Sequence, residues 1–330
     1  MRCNKYSLKD LYHSLLVLLR LTMRYNKYSL KAFAKDMKEL IALIVRYNKY
    51  SLKEGFFQAL FVSCAILSIL AVGFICLFLF INAIPTIYHI GFFDFIFGLD
   101  WYPLEEIFGI FPMIVGSLAV SALAILIGVP IGVFSALYLS LFCKSKLRAF
   151  ILPIIELLGA IPSVVYGFFG LVVLVPFLAD IFGGISGKSL LAASLILSIM
   201  ILPTIILISK AALDSVPKTY LEGALALGAS KEYSVFFVIL PAAKSGILAS
   251  VILGVGRAIG EAMAVIMIAG NQTQIPHSLF DGVRTLTTNI VLEMGYAQGL
   301  HREALIANAV VLFVFILLLN ISFSLLKRNK

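Results

Sequence analysis

The chain has 330 residues, of which 61% are hydrophobic and only 13% charged, and its mean hydropathy is +1.05. A soluble domain of this length cannot hide so much apolar surface, so lipid must be the solvent for much of it. The formal charge of +9 fits either a polyanionic partner or a membrane-topology signal until the cations are placed along the chain.

Residues 1–55 are basic and repetitive. "RCNKYSLK" at 2–9 returns as "RYNKYSLK" at 24–31 and 46–53, a strict 22-residue period. That period is about six helical turns, so successive copies return to a similar face. The extension reads as basic helices on the cytoplasmic leaflet; a docking role is the alternative, though nothing in the copies marks a ligand. No apolar core ending in a small-residue cleavage site marks a signal peptide.

From residue 56 onward, apolar runs fall at 57–81, 109–141, 150–179, 189–209, 239–269 and 304–326, each long enough for a span of about 20 residues. The third holds Pro153, Gly159, Pro162, Gly167 and Gly170, and so reads as kinked, broken, or split into a helix and a re-entrant piece. The N-terminus, 142–149, 210–245 and the C-terminal tail hold 22 of the 26 Lys and Arg residues. The intervening loops hold Lys188, Arg284 and Arg302 against Asp94, Asp100, Glu105, Glu106, Asp180, Asp281, Glu293 and Glu303. The positive-inside rule then places both termini in the cytoplasm. The basicity is a topology signal, and the case for nucleic acid lapses.

Among the external loops, 82–108 carries Trp101, Tyr102 and several Phe, which suits the headgroup level. Residues 270–303 form the largest external loop and are polar enough to meet a soluble partner. Cys3, Cys64, Cys76 and Cys143 read as free thiols. "GGISGKS" at 183–189 misses the phosphate-loop spacing at Phe182, and "GVGRAIG" at 254–260 has one residue too many for the dinucleotide fingerprint. His277 and His301 read as solvated. No catalytic or metal-type constellation is present, so catalysis by this chain is not expected, and any energy it uses must come from a partner or a gradient.

Two ionisable residues interrupt the fifth run, Arg257 and Glu261. A charge at mid-helix costs about 2.5–3.5 kcal/mol on insertion scales, so it faces a bundle interior or a water path. Their i, i+4 spacing predicts one shared helix face. They are either a mutually neutralising pair that glues the bundle, or a guanidinium lining an anion path with Glu261 orienting or competing for it. Gly254, Gly256 and Gly260 would let a helix or solute approach closely. Glu156 is a third candidate for the path.

The segment "YLEGALALGASKEYSVFFVILP", 220–241, interrupts the oil with charge. Pro217 predicts a short helix running to Leu227 and closed by Gly228 in a left-handed cap. Ser230 caps a second helix with Glu232 in its first turn, and Pro241 opens the next span. Two short helices at a sharp bend suit a partner's groove, and on physics alone an amphipathic connector reads as well.

Glu222-Gly223-Ala224, then Gly228, then Val238-Ile239-Leu240-Pro241 resembles the cytoplasmic coupling loop of ABC importer permeases, departing from it at Gly223 and Val238. "IELLGAIPSVVYGFFGL" (155–171) and "GRAIGEAMAVIMIAGN" (256–271) resemble two blocks of the C-type permease subunit of bacterial phosphate-specific importers. The resemblance runs from about residue 55 to the C-terminus. It implies an all-α polytopic membrane protein with six transmembrane helices in the type I ABC importer permease fold, over residues 56–330. It further implies a coupling loop at 210–238 and a place in the bacterial inner membrane. Implied partners are a second homologous permease, a dimeric cytoplasmic ABC ATPase that uses the ATP, and an extracytoplasmic phosphate-binding protein; no cofactor is expected on this chain. Arg257 and Glu261 match residues that the family associates with phosphate movement. A permease for molybdate or sulfate, a gradient-driven transporter and a phosphate-signalling scaffold stand as alternatives.

Overall fold

A computed structural model describes residues 52–182 and 187–328. The expected repeat array lies outside these residues but for its last two positions, Leu52 and Lys53. The described chain divides into two units between Ile75 and Cys76.

Among the described residues, six helical stretches are long and apolar enough to cross a membrane: Phe56–Ile90, Phe111–Phe142, Ser163–Ile181, Leu190–Asp214, Lys231–Gly260 and Gly299–Ser322. Helices are the outcome because hydrocarbon offers no partner for backbone N–H and C=O groups, which must be satisfied within the segment. In chain order, α1 is Leu52–Ile90, α2 is Phe92–Phe97, and a two-residue ribbon pairs β1 (Trp101–Tyr102) with β2 (Ile107–Phe108). Next come α3 (Phe111–Leu137), α4 (Ser145–Ala160), α5 (Ser163–Phe169), α6 (Val175–Ile181) and α7 (Leu190–Asp214). Then follow α8 (Lys218–Ala226), α9 (Lys231–Ser234), α10 (Leu240–Gly260), α11 (Met263–Ile268), α12 (Leu286–Glu293) and α13 (Gly299–Arg328). Wider π turns prolong α3 at Tyr138–Phe142, join α5 to α6 at Gly170–Leu174, and join α9 to α10 at Val235–Ile239.

The third apolar run is two pieces. Ile161 and Pro162 are extended, with ψ of 129° and 141°, because the ring of Pro162 disfavours helical backbone at the residue before it. The span therefore begins at Ser163, and α4 stands as a separate helix.

The core is built round α7, whose most apolar window is 61% buried against 33% for the second span and 22% for the fifth. Its Ile201 and Ile205 are fully buried, and glycines on both neighbours make room for them. A Cβ on Gly128 or Gly132 of α3 would come within 2.8 Å of Ile201 or 2.7 Å of Ile205, and one on Gly254 of α10 within 3.0 Å of Ile205. Packing of this kind replaces the hydrophobic drive that lipid cannot supply between helices. A second apolar cluster, with Leu137, Leu139, Leu213, Val235 and Ile239, lies at the end bearing α8 and α9. A third, with Phe95, Trp101, Phe108, Met113 and Leu305, lies with α12 and the start of α13.

Candidate functional site

Arg257 and Glu261 do not share a helix face as their spacing predicts. Helix α10 ends at Gly260, and Glu261 is extended at φ −74°, ψ 128°. Its side chain reaches forward instead, and its Oε1 accepts from the backbone N–H of Ala264 at 3.1 Å, in the first turn of α11. A carboxylate at a helix start is favoured by the free N–H groups and the dipole there. Arg257 is half-buried, and its Nη1 donates a long bond, 3.5 Å, to Thr204 Oγ1 of α7. Among the described residues the ion pairs are Lys210–Asp214, Arg284–Glu293 and His301–Glu293, so Arg257 is not neutralised by Glu261. Its described partner is a hydroxyl and not a carboxylate. Glu156 is exposed on α4 and makes no described bond to either residue.

The turn after Gly260 is held from α12. The hydroxyl of Thr287 donates to the carbonyl of Glu261 at 2.9 Å. Helix α12 starts with a capping box in which Thr285 and Thr288 bond each other's backbone N–H, with Thr288 at the position where the sequence signature has Glu or Gln. No local signal marks Thr287 itself, which acts 26 residues away from its own position in the chain.

At the far end of α12, Glu293 is the hub of a buried polar cluster. Its carboxylate accepts from Arg284 Nη1 at 2.6 Å and from Trp101 Nε1 at 2.8 Å, and lies 2.8 Å from His301 Nε2. Arg284 also donates to Asn289 Oδ1 and to the carbonyl of Asn271. The expectation that His301 is solvated is therefore corrected: its side chain is 14% exposed and stacks on Phe108. His277 is exposed, as expected. Tight packing supports the cluster, since a Cβ on Gly116 of α3 would come within 2.5 Å of the Arg284 carbonyl.

The charged segment between the fourth and fifth spans has the expected geometry. Gly228 is left-handed at φ +85°, its N–H donates to Leu225 O, and that of Ala229 donates to Ala224 O. These two bonds define a Schellman cap, which closes the last free carbonyls of α8 and turns the chain. Ser230 then caps α9 by accepting from Tyr233 N at 3.2 Å. No residue of α8 is buried; Glu222 and Gly223 are exposed, and Leu227 is 91% exposed. Nothing lies within 4 Å of a Cβ added to Gly223, so the departure from alanine there changes no contact within the chain. Leu240 and Pro241 open α10. Two contacts anchor the segment to the end of α3: Asp214 is bonded by Ser140 Oγ and Lys210 Nζ, and Lys231 Nζ lies 4.9 Å over the Phe142 ring.

Residues 128–330 match the family of binding-protein-dependent transport system inner membrane components. The chain is 40% identical over 267 residues to the probable ABC transporter permease protein YqgH of Bacillus subtilis, covering 78% of this chain and 86% of that one. It is 36% identical to the phosphate transport system permease protein PstC of Mesorhizobium japonicum, covering 81% of this chain and 87% of the relative. Among solved structures, one of a bacterial ABC transporter involved in the import of the acidic polysaccharide alginate matches 84% of this chain and 98% of its own. The TM-score is 0.59 at 16% identity, a likeness of fold alone.

Proposed function

We propose that this chain, which belongs to the family of binding-protein-dependent transport system inner membrane components, is the permease subunit of an ATP-driven importer that moves inorganic phosphate into the cytoplasm. The observation that carries the reading is the exposed, doubly capped bend of α8 and α9 between the fourth and fifth spans. Leu221 of α8 packs against the apolar cluster at this end, while Glu222, Gly223 and Leu227 stay exposed, a shape suited to a groove on a cytoplasmic ATPase dimer. Glu222, Gly223, Ala224, Gly228, Leu240 and Pro241 are its positions on the coupling pattern. The choice of phosphate is supported by relatives named phosphate transport permeases at 30–36% identity.

In this reading the bend faces the cytoplasm with both termini, and α12 and the β1–β2 ribbon face outward, where an extracytoplasmic binding protein delivers phosphate. A largely divalent anion cannot cross hydrocarbon unescorted. Arg257 supplies the compensating charge in a cavity shared with a second, homologous permease. Glu261 and Glu156 complete the path and limit how tightly it holds the anion, because conduction requires release as well as capture. ATP is bound and hydrolysed by the partner chains.

The test is uptake of radiolabelled inorganic phosphate by cells carrying the whole transporter. Arg257→Gln abolishes uptake while the complex still assembles, and unlabelled phosphate competes with the label whereas molybdate and sulfate do not. Normal uptake by Arg257→Gln would refute the path, and competition by sulfate would refute the substrate.

A further inference from the structure

Glu261 sits where α10 has ended, so its partly buried carbonyl has no helical partner and needs another donor. Thr287 supplies it. The Thr287 side chain lies in a buried residue, 7% exposed, and its proton is committed to Glu261 O at 2.9 Å. The neighbouring hydroxyls are ordered as a result. Thr285 Oγ1 lies 2.9 Å from Thr287 Oγ1 and 3.1 Å from Thr288 Oγ1, so its one proton serves these two acceptors, while it accepts from the N–H of Thr288.

Helix α12 is itself bolted in place on several sides. Leu286 N donates to Ser117 Oγ of α3 at 2.8 Å, and Asn308 Nδ2 of α13 donates to Leu286 O at 3.2 Å. Its last residue is Glu293, tied to Arg284, Trp101 and His301. A fixed α12 fixes the Thr287 hydroxyl, and the hydroxyl fixes the turn between α10 and α11.

The turn decides which group Glu261 meets. Extended backbone at Glu261 sends its carboxylate onto the N–H of Ala264 and leaves Arg257 with Thr204. Were α10 to continue through Glu261, the carboxylate would stand at i+4 from Arg257, the spacing at which such a pair forms on a helix. A guanidinium paired in that way is no longer free for an anion.

We infer that Thr287 is a positioning residue of the anion path: it holds the Glu261 carbonyl, keeps the turn open, and so keeps the Glu261 carboxylate away from Arg257. This rests on the reading that Arg257 lines the path. The assay is uptake of radiolabelled inorganic phosphate by cells carrying the complete transporter, with the amount of assembled complex measured alongside. Thr287→Val removes the hydroxyl at nearly constant volume and lowers the maximal uptake rate about tenfold or more, as a misplaced group in a path does, at unchanged assembly. Thr287→Ser restores the hydroxyl and recovers most of the rate. In a Glu261→Gln background the competing ion pair cannot form, so adding Thr287→Val lowers uptake by a smaller factor than it does in the unaltered chain, whereas a merely structural lesion lowers it by the same factor in both.

Uptake by Thr287→Val within twofold of the unaltered chain, while Arg257→Gln is inactive, overturns the inference and leaves the path standing. Equal losses in the Val and Ser variants, loss of assembly in Thr287→Val, or an equal factor of loss from Thr287→Val with and without Glu261→Gln also overturn it. Normal uptake by Arg257→Gln overturns the path itself.

Discussion

Replacing Glu293 by glutamine tests whether the Glu293 cluster holds the α12 end of the bundle together. Three groups converge on two carboxylate oxygens: Arg284 on Oε1, and Trp101 and His301 on Oε2. Glutamine keeps the volume but offers one oxygen, so whichever way the amide is turned its NH₂ faces a donor. The side chains of Arg284, Glu293 and His301 are 15%, 8% and 14% exposed, so water screens the lost charge only weakly. Removing one partner of a buried ion pair costs about 3–5 kcal/mol, because the other charge stays buried. The lower end is expected here, since Arg284 keeps Asn289 and the Asn271 carbonyl as acceptors. A loss of about 3 kcal/mol lowers the folded-to-unfolded ratio roughly a hundredfold. The chain has a single tryptophan, and Trp101 donates to Glu293 itself, so its fluorescence reports both the local change and the unfolding of the detergent-solubilised protein. Glu293→Leu with Arg284→Met removes both charges and should be milder than Glu293→Gln alone, as buried pairs replaced by apolar groups usually are. If Glu293→Gln unfolds with the unaltered chain to within about 0.5 kcal/mol, the range of ordinary surface substitutions, and with unchanged emission, the cluster is not the buried hub described.

Three further outcomes are expected. Gly228→Ala forces a Cβ into a left-handed residue at φ +85°, at roughly 1–2 kcal/mol; retention of the ATPase on affinity-tagged permease should fall while the spans stay folded. Ser230→Ala removes the cap on Tyr233 N, worth about 1 kcal/mol, and should weaken the same retention less than Gly228→Ala does. Gly116→Ala drives a Cβ to 2.5 Å from the Arg284 carbonyl and from Val283; this overpacking costs about 1–3 kcal/mol and should lower the melting temperature read through Trp101.

The coupling bend was legible in the sequence because its determinants are local. A left-handed residue at Gly228, a capping hydroxyl at Ser230 and the proline that opens the next span all act within a few residues of themselves. Glu261 was misplaced for the opposite reason. No proline or glycine cap stops α10 at that point in the way Pro162 separates α4 from α5; the continuous pattern reads as helix, and the break is satisfied by a threonine on another element. His301 was read as solvated because the acid it meets, Glu293, lies across a turn, and the aromatic walls come from Trp101 and Phe108, far back in the chain.

The sequence by itself determined the solvent, the number of spans and the outline of the exposed bend between the fourth and fifth spans, since each follows from composition or from contacts a few residues long. It also pointed to Arg257 and Glu261 as the charges in the fifth span that needed explaining. Only the tertiary structure decided whether those charges neutralise each other. The answer depends on one carbonyl at the end of α10 that must find a donor, and the donor arrives from a helix whose position is set by Ser117, Asn308 and the Glu293 cluster. A buried polar group is satisfied by whatever the fold brings to it, and spacing along the chain cannot reveal what that will be.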